Sequence, residues 1–530
     1  MTTKTLFIGL DGATFTVLDD LTFGPEPVMP FMAKLLAEGS RAELRSTPNP
    51  LTPPAWVSLM TGRSPGHHGV FDFIRAEETD NDVYFTLYDS RDCRVETIWS
   101  LISRQGQRVA ALNFPFTAPP PADLKGFMVP GFVPWRHLRR NCAPKNLYDQ
   151  LKKIPDFNPK ELAWDFEQEK QALDELSDED REGWIRYHLP REMQWFRIAE
   201  HLLENEAPEL MAVMFDGVDK LQHQAWLYLD PAEQKGELSE YHQRMRVLCL
   251  DYFRQLDTFI ERLVTKAGPE ANVFLASDHG FTATDEIVRI NTFLAERGYL
   301  HWVDVPKTEA GRRREDSMFA YLDWEQTVAY CGTPSSNGIT IRVADAPGKQ
   351  GVAPQEYEAV RSRLIADLED FRDAVSGERI ITEVHRREDV FSGEAMKDAP
   401  DLLLVLRDHG FVSIKNKEPA VEPRPSIAGT HHPDGIFIAY GPGIRPGALL
   451  PRRNIVDVGA TLVHSLGLDV PEDFEGVVPE AMYTDDHLMA HPVTLGASTV
   501  DAARNEEAGS MSSDDKDQIM AQLQMLGYVE

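Results

Sequence analysis

The chain has 530 residues, 42% of them hydrophobic, and a formal charge of -31. Such a length can bury a large core and suggests about two to four domains, or one large α/β domain with insertions. The charge repels nucleic-acid polymers and anionic lipid at long range, so an anionic substrate must be held by local positive charge, and bound metal ions are one way to supply it.

The N-terminal Met1-Thr2-Thr3-Lys4 runs straight into Leu6 to Leu10 and is read as the start of a first strand, not a leader. No apolar run approaches the roughly 18 residues that a membrane-spanning helix needs. Cys93, Cys142, Cys249 and Cys331 are scattered without a C-x-x-C pair. That pattern fits neither a disulfide framework nor a thiolate metal site, and a cytoplasmic setting is the expectation.

Short apolar runs follow in order: Leu6 to Leu10, Val109 to Leu112, Leu210 to Phe215, Val273 to Ala276, Leu402 to Leu406 and Ile436 to Ala439. Each is followed by a polar or glycine-bearing turn and reads as a strand buried on both faces. Helical patterns lie between several of them. The clearest places Met245, Leu248, Tyr252, Leu256, Phe259, Ile260 and Leu263 at steps of three and four and closes near Gly268. The alternation predicts an α/β fold with a mostly parallel central sheet and helices on both faces, ligands sitting at the carboxyl ends of the strands.

The expected core spans 1–315, with a helical insertion at 140–205 where charge, Trp and helix formers replace strand-like runs. A small α+β cap is expected over 316–398, with strand candidates at Ile339 to Val343 and Ile380 to Val384 around a helical stretch from Gln355 to Phe371. The chain then returns to the core over 399–490. Residues 491–530 read as a mobile tail with one short amphipathic helix at Ile519 to Leu526.

Three of the strand runs end in acidic or acid-plus-histidine clusters: Asp11, Asp216-Gly217-Val218-Asp219, and Ser277-Asp278-His279-Gly280. A fourth cluster, Gly429-Thr430-His431-His432-Pro433-Asp434, precedes a strand. Carboxylates and imidazoles from such distant segments can converge on one crevice. Together they suit divalent metals of borderline hardness, Zn2+ above all, with Mn2+ or Fe as alternatives. Asp219 and His223 stand at i and i+4 and share one helical face. Gly280 permits the sharp turn that adjacent Asp278 and His279 need to face one ion.

Taken singly, these residues have ordinary readings. Asp11-Gly12 is a turn, Asp219 and His223 an exposed pair, and Thr52 an N-cap ahead of proline. A Thr52 hydroxyl at a helix N-terminus would also meet amides and a dipole that favour a phosphoryl anion.

Taken together, they resemble the alkaline phosphatase superfamily and, within it, the type I phosphodiesterase and nucleotide pyrophosphatase branch. The resemblance runs in order through Leu10-Asp11-Gly12, Leu51-Thr52-Pro53-Pro54-Ala55-Trp56, Met60 to Gly69 (MTGRSPGHHG), Asp219-Lys220-Leu221-Gln222-His223, Ser277-Asp278-His279-Gly280 and Gly429-Thr430-His431. Asn454 to Leu468 is similar to the family's late helix. The resemblance implies one metal at Asp219, His223 and His431, and another at Asp11, Asp278 and His279 with Thr52 beside it. His431 is chosen over His432 by the family's Gly-Thr-His. A second Asp-His-Gly at Asp408-His409-Gly410 competes with the first, and the pair at 278 and 279 is preferred for its place between Asp219 and the late histidine.

The implied activity is phosphodiester or pyrophosphate hydrolysis of a small-molecule substrate, with two divalent ions and a phospho-threonyl intermediate at Thr52. One position departs from the pattern. Nucleotide pyrophosphatases carry an asparagine that helps to hold a phosphate oxygen, where this chain has Phe73. Asn113, ending the Val109 to Leu112 run, is a substitute donor or simply a turn cap. Phosphomonoesterase, phosphonate hydrolase and phospho-head-group transferase activities share the same ligands and stay open. The absence of a C/S-x-P-x-R setting argues against sulfate chemistry. A metal-binding protein without turnover is the reading from a different class.

Overall fold

The computed structural model describes residues 2–78, 83–162, 178–303, 319, 322–333, 335–346, 348–415 and 417–500. Its largest sheet runs in the order Ala448–Leu449, Ser40–Arg45, Asp434–Tyr440, Asn272–Ala276, Thr5–Leu10, Leu210–Phe215, Val109–Leu112, Gly126–Val129. Thr5–Leu10 is parallel to both neighbours, and Val109–Leu112 to both of its own. Asp434–Tyr440 alone runs antiparallel, against Ser40–Arg45 and Asn272–Ala276. The fold is therefore α/β around a mixed, mostly parallel sheet, as the alternation of apolar runs and helical patterns implies.

Strand geometry explains why the runs are apolar throughout. Leu6, Ile8 and Leu10 enter one hydrophobic core while Phe7, between them, enters the other. Successive side chains point to opposite faces, and both faces are covered. On the first face lie Gly217–Leu229, Asp178–Asn205 and Glu240–Ala267, the last closed at Gly268. On the second lie Thr52–Thr61, Ile98–Arg104 and Val456–Ser465. Strand ends at Leu10, Phe215 and Ala276 come out side by side, because Thr5–Leu10 is hydrogen-bonded to the other two in register.

A long antiparallel ribbon, Gly280–Arg289 with Val421–His432, follows directly from the Asp278-His279 turn and sets His431 opposite Phe281. The sequence hides it, since neither strand is an apolar run. A second sheet, ordered Ala329–Cys331, Gly338–Ile341, Leu402–Leu406, Ile381–Arg386, packs with helix Tyr357–Glu369 on a third core. Leu402–Leu406 thus belongs with this four-stranded sheet and not with the large one. Of the 140–205 stretch, Leu147–Leu151 and Asp178–Asn205 are helical, and 163–177 lie outside the described residues. Leu495–Gly496 pairs with Val470–Pro471. The helix expected at 519–526 lies outside the described residues. Among the described residues no helix is long and apolar enough to cross a membrane.

Candidate metal centre

Asp11 stands at the end of Thr5–Leu10, Asp219 on the first turn of Gly217–Leu229, and Asp278 and His279 in the turn after Asn272–Ala276. Thr52 opens the Thr52–Thr61 helix, and His431 comes from the ribbon. The structure brings these residues and His223 to one place, none more than 7% exposed. Gly12 makes the convergence possible. Its φ is +67°, its amide donates to Asp278 Oδ1 at 3.1 Å, and a Cβ there would come within 2.8 Å of the Phe281 ring.

Asp219, His279 and His431 offer three ligand atoms within 4.8 Å of one another, and so do Asp11, Asp278 and His279. His279 lies between the two groups, its Nε2 3.2 Å from Asp278 Oδ2, 3.7 Å from Asp11 Oδ1 and 3.9 Å from Asp219 Oδ1. His223 joins the first group, its Nε2 3.1 Å from His431 Nε2 and 3.4 Å from Asp219 Oδ1.

The histidine tautomers follow from their partners. His431 Nδ1 is 2.7 Å from Pro50 O, His223 Nδ1 3.3 Å from Gly429 O, and His279 Nδ1 3.0 Å from Gly280 O. A carbonyl oxygen only accepts, so each Nδ1 carries the proton and each Nε2 turns a lone pair inward. Three buried carboxylate oxygens, Asp11 Oδ1, Asp219 Oδ1 and Asp278 Oδ2, have no hydrogen-bond partner and face the same space. Orphaned anionic oxygens and converging imidazole lone pairs are what a cation site requires, and buried polar atoms are otherwise satisfied. The donor set fits divalent ions of the zinc class.

Without such ions the centre is electrostatically frustrated. Burial, with Asp278 and Asp219 alongside, pushes Asp11 well above the usual carboxylate range. Burial and Asp219 do the same to Asp278. Burial and the neighbouring His431 press His279 well below the ordinary histidine value, so it presents a neutral ring.

Thr52 is the first helical residue, not the cap, and its hydroxyl bonds no helix amide. Its Oγ1 instead lies 3.4 Å from His279 Nε2. Pro53 and Pro54 have no N–H, and Ala55 N donates to Leu51 O, so this helix end presents few amides to an anion. The positive field at Thr52 has to come from elsewhere.

Asn113 is placed apart. Its amide hydrogens go to Met214 O at 2.9 Å and Asp216 Oδ1 at 3.1 Å, which leaves no donor for a phosphate oxygen. His432 turns away from the centre to face the His409 ring, and its Nδ1 accepts from Asp434 N. Asp408 accepts from Thr284 Oγ1 and Gly410 N. The second Asp-His-Gly therefore has its own local partners. One contributor escaped the sequence reading: Trp56 Nε1 donates to Asp11 Oδ2 at 3.1 Å and so turns Oδ1 inward. Its signal was the spacing of an indole one helical turn after Thr52. A cleft of about 640 Å3 with Asp72, Arg75, Arg342 and Asp401 in its wall is lined by none of these residues.

Residues 5–434 match the model of the type I phosphodiesterase/nucleotide pyrophosphatase family. The chain belongs to that family. It is a family of metal-dependent phosphoester hydrolases, and the chain has two candidate metal-ligand groups. No curated protein matches the chain. Among solved structures it is similar to phosphonoacetate hydrolase from Sinorhizobium meliloti 1021 in complex with phosphonoformate, 14% identical over 88% of this chain and 96% of that one, with a TM-score of 0.53. Murine ectonucleotide pyrophosphatase/phosphodiesterase 5, in an inactive form with AMP, is 14% identical over 88% and 96% of the two chains, TM-score 0.49. Its human counterpart is 15% identical over 89% and 97%, TM-score 0.49. At these identities the phosphonoacetate hydrolase match speaks for the shared fold alone.

Proposed function

We propose that this family member hydrolyses small-molecule phosphodiesters or pyrophosphates through Thr52. Zn2+ is the ion that the mixed Asp and His ligand set favours, and Asp219, His223 and His431 would hold one ion while Asp11, Asp278 and His279 hold the other. The reading is carried by one observation: three imidazole lone pairs and three partnerless carboxylate oxygens converge within reach of the Thr52 hydroxyl.

Two bound dications would lower the pKa of the Thr52 hydroxyl and of a water and neutralise phosphoryl charge. Against three carboxylates they would also leave the centre one charge positive. Thr52 Oγ1 then forms a bond to phosphorus as the bond to the leaving oxygen breaks. Water attack on the resulting threonyl phosphodiester breaks its bond from phosphorus to Oγ1, releases the phosphomonoester that keeps the other substituent, and restores the hydroxyl. His279, 3.4 Å from Oγ1, fixes the direction of approach. The interior of the fold excludes bulk water, since Thr52 is 2% exposed.

With Phe73 at the asparagine position and both Asn113 donors engaged, neither of these two positions offers an amide to the phosphate. A bis-aryl phosphate, an aryl phosphate, a nucleotide-sugar and an aryl phosphonate ester, assayed with metal content measured in parallel, decide the class. Preferred turnover of the bis-aryl phosphate or the nucleotide-sugar is expected. Preference for the monoester or phosphonate would replace the diesterase reading. Two bound ions with no turnover would leave a binding protein.

A further inference from the structure

The helix that carries Asp219 and His223 is held at its start by three residues of the insertion helix Asp178–Asn205. Arg191 Nη1 donates to Asp216 Oδ1. Glu192 Oε1 accepts from Gly217 N and from Tyr252 Oη, the latter at 3.3 Å. Trp184 Nε1 donates to Lys220 O at 3.1 Å. Lys220 Nζ closes the network on Asp216 Oδ2 at 2.9 Å, and Asn113 adds its amide. Arg191, Glu192, Asp216 and Lys220 are at most 2% exposed. Gly217 is required by the closeness, since a Cβ there would fall 2.4 Å from Glu192 Oε1.

We infer that Arg191 and Glu192 are positioning residues for the ion that Asp219, His223 and His431 would hold, so that docking of the insertion helix sets the affinity of that one site. The inference rests on the two-ion reading above. Stability does not explain the network, because a buried ion pair replaced by packed apolar groups of like volume is usually no less stable. What charge adds is direction. Asp216 precedes Asp219 by three residues, and its carboxylate is gripped by Arg191, Lys220 and Asn113 from three sides. The backbone that leaves it can therefore enter the helix along only one line. Asp219 Oδ1, 3.2 Å from His431 Nε2 and without a hydrogen-bond partner, is aimed by that line. Groups behind a ligand commonly govern its affinity as strongly as this. Among the described residues no hydrogen bond or ion pair joins the insertion helix to Asp11 or Asp278, whose site is framed by Trp56 and Gly12.

The test is a titration of the metal-stripped full chain with Co2+, read by absorption and by competition with a chelator, for wild type, Arg191→Met and Arg191→Lys, with circular dichroism to establish folding. Wild type should bind two ions. Folded Arg191→Met should bind one of them at least about tenfold more weakly, with a changed Co2+ spectrum, and keep the other. Arg191→Lys should recover most of the loss. A folded Arg191→Met that binds both ions like wild type, or weakens both equally, overturns the inference. Should Arg191→Met fail to fold, Asp216→Asn, which keeps the side-chain shape, is read by the same criterion, and unchanged binding overturns it. A wild type that does not bind two ions overturns the two-ion reading and this inference with it, whereas two ions in wild type and no effect in the variants sink the inference alone.

Discussion

The Nε2 atoms of His223 and His431 stand 3.1 Å apart while both rings donate from Nδ1 to backbone carbonyls, Gly429 O and Pro50 O. Two imidazole lone pairs at that separation repel unless a cation lies between them. Metal removal should therefore act on stability as well as on turnover. Each ion present at a thousandfold excess over its Kd adds about 4 kcal/mol to the folded state. Calorimetry of the chain with and without a chelator should show a lower Tm on stripping, restored by two equivalents of Zn2+. An unchanged Tm would mean that no ion is held here.

Thr52→Ala should separate binding from chemistry. The hydroxyl bonds no helix amide and hydrogen-bonds only His279 among the ligands, so the variant should keep both ions. Turnover should fall by about 10^3-fold or more, the scale on which a group acting at the reacting centre is lost, with metal content unchanged. Acid quench of wild type during turnover of a diester, followed by peptide mass analysis, should find the phosphoryl group with its retained ester on the peptide that contains Thr52. Full turnover in Thr52→Ala would remove Thr52 from the chemistry.

Two neighbouring histidine choices can be settled by metal content. His431 is fully buried with Nε2 3.2 Å from Asp219 Oδ1, while His432 lies against His409. His431→Ala and His279→Ala should each lose at least one ion by elemental analysis and about 10^2-fold or more in kcat. His432→Ala and His409→Ala should keep both ions and most activity. Equal losses at His279 and His409 would defeat the choice of the first Asp-His-Gly turn over the second.

What could be seen in the sequence follows from which forces shape each segment. Leu210–Phe215 and Val109–Leu112 are apolar at every position because both sheet faces are covered, and a run of that kind has few other uses. Ser40–Arg45 and Gly280–Arg289 alternate burial with exposure and carry charge, so composition does not set them apart from loops. The metal-ligating types were legible because Asp and His at strand ends are few. Orientation was not. Trp56 reads as a core residue and Arg191 and Glu192 as a solvated helix face, and only tertiary packing turns them toward Asp11, Asp216 and Gly217. Likewise, nothing in the local sequence of Asn113 says that Met214 O and Asp216 take both of its donors.

Asp72, beside the Phe73 position, accepts from Thr333 Oγ1 and Ser335 Oγ, each at 2.7 Å. Burial pushes its pKa up to about 6, against the pull of those hydroxyls. An unfolded aspartate titrates near 3.9, so below about pH 4 both states are protonated and the contribution is constant. Between there and pH 6 the unfolded chain releases its proton first, and stability falls as pH rises, by about 3 kcal/mol at most. Asp72→Asn cannot ionise. Urea unfolding of the two proteins from pH 4 to 7 should show the wild type losing ground against the variant across that window, and parallel profiles would mean that Asp72 titrates normally.

Trp56 offers the sharpest test of how one site is aimed. Its indole N–H, 3.1 Å from Asp11 Oδ2, occupies one carboxylate oxygen and leaves Oδ1 to the centre. The ring itself is fully buried against Phe114, at 5.4 Å between centroids. Trp56→Phe keeps most of that packing and removes the donor, which leaves a buried anionic oxygen unsatisfied at a cost of about 1–3 kcal/mol. Asp11 is then free to rotate about its side-chain bonds. Affinity at the Asp11, Asp278 and His279 site should fall about 10–100-fold, the usual effect of losing a group behind a metal ligand. The indole makes no hydrogen bond to Asp219, His223 or His431, and that site should hold its ion at wild-type affinity. Arg191→Met is expected to do the reverse, so the two variants assayed together should weaken opposite ions in the same Co2+ titration. Loss of the same ion in both variants would show that the two sites are not separately positioned.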